Sequence, residues 1–238
     1  MTAVLELRAV TAGYGPFRAL FGVDLTVDPG EAVALVGPNG SGKTTVARVA
    51  SGLLRPASGA VLVDGTEVTG QPAHRFVRAG ISHAPEGRSV FATLTVRENL
   101  ELSFRRLVGR SGLAAALGRA YELFPVLGER RNQAAGSLSG GEQRMLSMAR
   151  VLVEQPKLLI ADELSLGLAP IVVDELYASL ARLRDEGTAL LVVEQQVGHA
   201  LALASRVAIL SHGSVAWTGS SEEAGAVVHG SLEPSEVR

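Results

Sequence analysis

Lys43 stands in the run Gly37-Pro38-Asn39-Gly40-Ser41-Gly42-Lys43-Thr44-Thr45, and Lys157 is the only other lysine of the chain. A chain that avoids lysine yet keeps one here needs an ammonium at this point. The run fits G-x-x-x-x-G-K-[ST], the pattern of a phosphate-binding loop. Its glycines let the backbone fold into a nest of N–H donors that touch phosphate oxygens. Lys43 adds a compact charge on a flexible stem, with the reach to bridge β- and γ-phosphates. Thr44 offers a hydroxyl to Mg²⁺.

Two further runs carry chemistry. Leu158-Leu159-Ile160-Ala161-Asp162-Glu163 is an apolar stretch ending in two carboxylates. Ligands of open α/β sheets bind at the carboxyl ends of the strands. Asp162 is suited there to hold Mg²⁺, largely through water, and Glu163 to polarise a water for attack on a γ-phosphate. Acidic residues often end strands, so the pair gains its meaning from the phosphate loop upstream. In Ser137-Leu138-Ser139-Gly140-Gly141-Glu142-Gln143, Ser139 and Glu142 have capping-box spacing. Met145, Leu146, Met148, Ala149, Leu152 and Val153 continue as a long apolar helix face. A double glycine weakens a first turn unless the backbone must touch something. Ser139-Gly140-Gly141 therefore reads as a second anion site at a helix start.

The elements around these residues agree with that chemistry. Glu31–Gly37 is an apolar run leading into the loop, and Lys43–Leu54 follows with Val46, Val49, Ala50 and Leu53 at helical spacing. Val4–Val10, Val23–Val27 and Ala60–Val63 read as short strands between turn residues. From Val96 to about Val153 the pattern is helical, with arginine pairs Arg105/Arg106 and Arg130/Arg131 read as a solvated face. Leu158–Ala161 and Thr188–Val193 are apolar runs flanked by helices, which predicts a parallel sheet buried on both faces. Arg206–Ser211 and Ser214–Trp217 predict a hairpin, and the polar tail from Gly230 is expected to be loose.

A length of 238 residues fits one large domain or a core with a smaller lobe, and 47% hydrophobic content suffices for a substantial core. The net charge of −2 gives no general pull towards nucleic acid. Without cysteine there are no disulfides and no thiolate metal sites. Glu6 and Arg8 interrupt the apolar stretch that a signal peptide needs. No segment reaches the ~18 uncharged apolar residues of a membrane span, so a membrane role is expected to come through a partner.

The three motifs, in this order, resemble those of the ATP-binding cassette (ABC) ATPases, whose signature Leu138–Gln143 (LSGGEQ) matches, and the likeness covers nearly the whole chain. The resemblance implies an α/β fold of the phosphate-loop NTPase type. It has a mostly parallel core sheet, an N-terminal antiparallel β part and a helical subdomain. Residues 1–90 and 156–238 would form the ATP-binding core and about 91–155 the helical part, all in one ABC ATPase domain. It also implies a head-to-tail dimer in which the phosphate loop of one subunit and Ser139, Gly140, Gly141 and Gln143 of the other enclose each ATP, with Mg²⁺. Tyr14, in Ala12-Gly13-Tyr14-Gly15, matches the aromatic that stacks on adenine.

Several positions depart from the general family pattern. Glu86 stands where a glutamine usually contacts Mg²⁺ and the membrane partner, and is kept in the ATP-binding set. Gln195 replaces the usual switch histidine and is assigned to the γ-phosphate, with Glu163 as the catalytic carboxylate; His199, a helical turn on, is read as a surface residue. Leu164 and Leu168 replace a proline and an aspartate. APEGRSVF, TVRENL, ELFPVL, LSGGEQ, SLGLAP and VVEQ together look like the shorter ATPase subunit of branched-chain amino acid importers. Leu164 and Ala161 depart even from that branch and are read as packing variation. The likeness implies a peripheral protein on the cytoplasmic face of the cell membrane. Its implied partners are permease subunits, a second and different ATPase chain and, indirectly, an extracytoplasmic binding protein, with no nucleic acid. Cassette ATPases acting on nucleic acid or ribosomes, relatives carrying amides or urea, and phosphate-loop kinases are the competing classes. The last have no use for LSGGEQ.

Overall fold

The computed structural model describes residues 2–84, 90–153 and 155–225. Two sheets carry the fold. The first is antiparallel, in the order β2-β1-β4-β5, from β1 (Leu5–Tyr14), β2 (Phe17–Val27), β4 (Ser58–Val63) and the short β5 (Thr66–Glu67). The second has the order β10-β9-β3-β8-β7-β6, from β3 (Ala32–Val36), β6 (Ile81–Ala84), β7 (Leu158–Asp162), β8 (Ala189–Glu194), β9 (Arg206–Ser211) and β10 (Ser214–Ser220). Its strands pair in parallel except for β10, which runs antiparallel along the edge.

Every residue of β3, β7 and β8 is buried, as continuous apolar runs require when helices cover both faces. Successive side chains go to opposite faces. Ala34, Leu159 and Val192 therefore enter one core with α5 (Gly140–Leu152), α6 (Pro170–Asp185) and α7 (Val197–Leu203). Leu35, Ile160 and Leu191 enter the other, with α1 (Lys43–Ala50) and the antiparallel sheet. Leu164 and Ala161 are wholly buried in the first core, where side-chain size decides the fit.

The chain between β6 and β7 is helical in pieces. After α2 (Ala73–Arg78), which precedes β6, come α3 (Val96–Leu123), α4 (Pro125–Glu129), a 3₁₀ turn at Ala135–Ser137, and α5. α3 breaks at Gly109, whose φ/ψ of 66°/−168° is not helical. Arg105 pairs with Glu101 on the solvent side, while Arg130 pairs with Glu142 at the start of α5.

Three boundaries differ from the sequence expectation. β1 and β2 run on to Tyr14 and back from Phe17, because register shifts after Leu7, Val10 and Ala12 carry the pairing past residues that break the two-residue alternation. α1 stops at Ala50 instead of Leu54: Gly52, at φ 70°, takes the left-handed turn that ends helices, leaving Leu53 exposed. The C-terminal hairpin forms as expected, but β10 runs on past Trp217 to Ser220, and β9 also pairs with β3.

Candidate nucleotide site

The loop between β3 and α1 is shaped by contacts that leave no room for side chains. A Cβ on Gly37 would lie 2.2 Å from the Leu210 carbonyl oxygen, so the loop folds against the end of β9 only as glycine. The Gly213 amide donates to the Ser41 carbonyl at 2.9 Å and braces the loop from the β9–β10 turn. α1 has no side-chain cap at its start. Its first amides and dipole are thus directed at whatever fills the loop. Ser41 Oγ is buried and has no hydrogen-bond partner among the described residues. A phosphate oxygen would satisfy it, so the cradle fits an anion.

Lys43 is 4% exposed, and its ammonium donates to the carbonyls of Gly37 at 2.9 Å and Pro38 at 3.1 Å. Thr44 Oγ1 donates to Asp162 Oδ1 at 3.4 Å, which joins the loop to the end of β7. These hard oxygens fit Mg²⁺, whose other ligands are usually phosphate oxygens and water. Among the described residues no group of three or more His, Asp or Glu forms an all-protein cage.

Glu163, the residue after β7, has φ 47°. Left-handed backbone in a non-glycine residue costs on the order of 1–3 kcal/mol and persists only when surroundings fix it. Here its amide donates to the Val193 carbonyl at 2.9 Å, and Arg144 Nη2 donates to the carbonyls of Asp162 and Glu163, each at 3.2 Å. Arg144 is 5% exposed and lies in the first turns of α5. Sequence reasoning missed it, since a basic residue on an amphipathic helix reads as solvated.

It also missed His83 in β6. His83 Nδ1 is 3.1 Å from Ser51 Oγ, and Nε2 is 4.0 Å from Asp162 Oδ2. That separation suits an ion pair, but burial and then the charge of Arg48 lower the imidazole pKa to about 4. The ring is therefore neutral near pH 7, and the contact is not an ion pair.

Ser139 caps α5 through the expected reciprocal bonds: the Glu142 amide donates to Ser139 Oγ at 3.3 Å and the Ser139 amide to Glu142 Oε2 at 2.8 Å. Ser139 is exposed, and Gly140 and Gly141 half-buried. Gln143 Nε2 donates to the carbonyls of Ala135 at 3.1 Å and Leu138 at 3.2 Å, fastening the preceding turn. Among the described residues no hydrogen bond joins Ser139, Gly140 or Gly141 to residues 37–45.

Val36 and Glu194 are register partners, so Gln195 emerges level with Gly37; its side chain is exposed. His199 is on the surface as expected, bonded through Nε2 to Asp174 Oδ1 at 2.8 Å. Tyr14 ends β1 opposite Phe17 and is 43% exposed. Arg48 of α1 donates to its hydroxyl at 3.2 Å, which draws the ring to the phosphate-loop helix. Pro38, Asn39 and Gly40 are exposed on the loop, and Thr45 is buried under it. Glu86 lies outside the described residues.

A strand–loop–helix anion cradle beside a strand-end carboxylate pair, on a parallel sheet, defines a phosphate-loop nucleotide-binding protein. The family model described as "ABC transporter" matches residues 20–165. The chain is 41% identical to the high-affinity branched-chain amino acid transport ATP-binding protein BraG of Pseudomonas aeruginosa, over 89% of this chain and 91% of the relative. It is 36% identical to the probable branched-chain amino acid transport ATP-binding protein LivF of Archaeoglobus fulgidus, over 92% and 93% of the two chains. It is also 34% identical to the lipopolysaccharide export system ATP-binding protein LptB of Escherichia coli K12, over 93% and 92%. Among solved structures, an ATP-binding cassette of an ABC transporter in its ADP conformation matches with a TM-score of 0.83, 25% identity and 96% coverage of each chain. A dimeric bacterial ABC transporter cassette matches with a TM-score of 0.81 and 25% identity, over 91% of this chain and 98% of that one. The chain belongs to the ABC transporter family and is an ATPase whose hydrolysis is coupled to transport.

Proposed function

We propose that this ATPase energises uptake of branched-chain or related amino acids through a membrane permease. The observation that carries this reading is the extended likeness to BraG and LivF, whose names place them in branched-chain amino acid transport. The peripheral position at the cytoplasmic face of the membrane follows from that role. Among the described residues no helix is long and apolar enough to cross a membrane.

In the proposed site Lys43 and the loop amides hold the β- and γ-phosphates, and Tyr14 stacks on adenine. Thr44 and Asp162 hold Mg²⁺, which when bound neutralises phosphate charge. Glu163 takes the proton of the attacking water, and Gln195 bonds the γ-phosphate. Ser139, Gly140 and Gly141, remote from their own loop in hydrogen bonding, serve the ATP of a second subunit in a head-to-tail dimer. We assign that partner to a different ATPase chain. Residues 1–90 and 156–238 act as the nucleotide core and about 91–155 as the part that carries Ser139 to the partner.

The LptB relative works in lipopolysaccharide export, which makes cargo the point to test. The complex of this chain with its permease and binding protein would be assayed for ATP turnover with leucine, isoleucine or valine present. The expected result is stimulation by these amino acids. Stimulation only by short amides, urea or a lipid would overturn the cargo and leave the ATPase assignment standing.

A further inference from the structure

We propose that Glu194 is a positioning residue for hydrolysis, fixing the turn that follows Glu163. Glu194 ends β8 and is 2% exposed, yet neutral groups satisfy its carboxylate. The Ser165 amide donates to Oε1 at 3.0 Å, the Ser165 hydroxyl to Oε2 at 2.8 Å, and the Tyr177 hydroxyl to Oε1 at 3.1 Å. Burial raises the Tyr177 pKa, and the Glu194 charge raises it further, so Tyr177 remains a donor. A buried carboxylate is costly unless such bonds are complete.

Three elements meet on this one group. Glu194 belongs to β8 and is the register partner of Val36 at the entrance to the phosphate loop. Ser165 lies two residues beyond Glu163, and Tyr177 lies in α6. An apolar side chain would fill the same space without directing the Ser165 amide and hydroxyl; the carboxylate does direct them. The Glu163 turn is held on one side by Val193 and Arg144 and on the other by Ser165 on Glu194. Releasing the second hold frees the Glu163 carboxylate and the loop through Leu168, while Lys43 and α1 keep their own contacts. Hydrolysis then falls and nucleotide binding does not. The inference rests on the assignment of Glu163 to the attacking water.

The test compares Glu194→Ala, Glu194→Gln and Ser165→Ala in the full chain by ATP turnover, ATP affinity and amide hydrogen exchange over residues 164–168. Glu194→Ala is expected to lower kcat about tenfold or more while KM for ATP stays within about twofold. Exchange at the Ser165 amide is expected to rise about tenfold. A glutamine still accepts from the Ser165 amide and Tyr177 while its NH₂ faces Ser165 Oγ, so Glu194→Gln restores most of both. Ser165→Ala gives a smaller loss that adds nothing on top of Glu194→Ala. Unchanged exchange and kcat in Glu194→Ala would overturn the proposal. So would a joint fall of kcat, ATP affinity and thermal midpoint in which glutamine does no better than alanine. Should Glu194→Ala fail to fold, Ser165→Ala and Tyr177→Phe decide through the same exchange readout. Glu163→Gln is run in parallel: turnover surviving there would remove the Glu163 assignment, whatever Glu194 does.

Discussion

The Nζ of Lys43 lies 3.9 Å from Oε1 of Glu163, with side chains 3% and 16% exposed. The phosphate-loop ammonium thus faces the strand-end carboxylate, the arrangement in which a γ-phosphate held by the first, as proposed, would be presented to the second. Glu163→Gln keeps the shape and removes the proposed base. Turnover is expected to fall about 10²- to 10⁴-fold. ATP affinity stays equal or tightens, because Lys43 no longer faces a competing anion. Equilibrium nucleotide binding beside steady-state hydrolysis checks both halves, and retained turnover refutes the role.

Lys43→Ala has the complementary outcome. Its ammonium holds loop carbonyls and is the one lysine charge in the cradle. Losing a charge-assisted contact to phosphate costs about 1.5–3 kcal/mol, so ATP affinity should drop about 10- to 150-fold. Titration calorimetry measures it. An unchanged dissociation constant would show that the backbone amides alone hold the phosphates.

The phosphate loop, the Asp162–Glu163 pair and the Ser139 cap were legible because each is a local pattern: residue types at fixed spacing on one element. The parallel sheet was legible for the same reason, as runs with no polar member. Arg144 and His83 were not, because what defines them is distance across the fold. Nothing near Arg144 in the sequence announces the two carbonyls of the β7 turn, and His83 looks like any polar residue in a short strand. In the sequence Glu194 is only one member of VVEQ, and its partners at Ser165 and Tyr177 come from other elements. The ends of β1 and α1 are not legible, because register shifts and a left-handed glycine act on backbone geometry, which hydrophobic periodicity does not encode.

Tyr14 offers its ring at 43% exposure, with the Arg48 guanidinium 5.8 Å from the ring centroid on one side. Stacking is sequence-tolerant and contributes about 1–3 kcal/mol. Tyr14→Ala should therefore weaken ATP and GTP alike, by about 5- to 150-fold, while Tyr14→Trp retains binding. A loss confined to ATP would show that an adenine edge is read elsewhere.

If Gln195 takes the switch role proposed for it, no imidazole should take part at the γ-phosphate. His199 is occupied with Asp174 and packs beside the Tyr177 ring at 5.1 Å between centroids. His83 is already neutral across the working range. His199→Ala should leave kcat within about twofold, and the pH–rate profile should show no inflection near the ordinary imidazole pKa of about 6.5. A rate that follows such an inflection and vanishes in His199→Ala would return the switch role to histidine.

Glu31, just before β3, binds Arg206 at the start of β9 through Oε1 to Nε at 2.8 Å and Oε2 to Nη2 at 2.9 Å. Arg206 also donates to the Thr26 carbonyl in β2 at 2.7 Å, so the pair ties both sheets together at the bottom of the strand that feeds the phosphate loop. Burial works against the Glu31 charge, but the Arg206 hydrogen bonds, the Asp28 amide and the Arg206 charge outweigh it and lower the pKa below 4.5. A carboxylate depressed in this way contributes its stability above the unfolded-state pKa and loses it as pH falls through the folded one. Glu31→Gln should cost about 1–2 kcal/mol near neutral pH, discounted for partial solvent access. It should also flatten the fall of stability below about pH 4.5, since the variant has no proton to take up there. Urea unfolding of both proteins at neutral and acid pH measures the difference, and parallel acid limbs would show that Glu31 is not among the groups that set them.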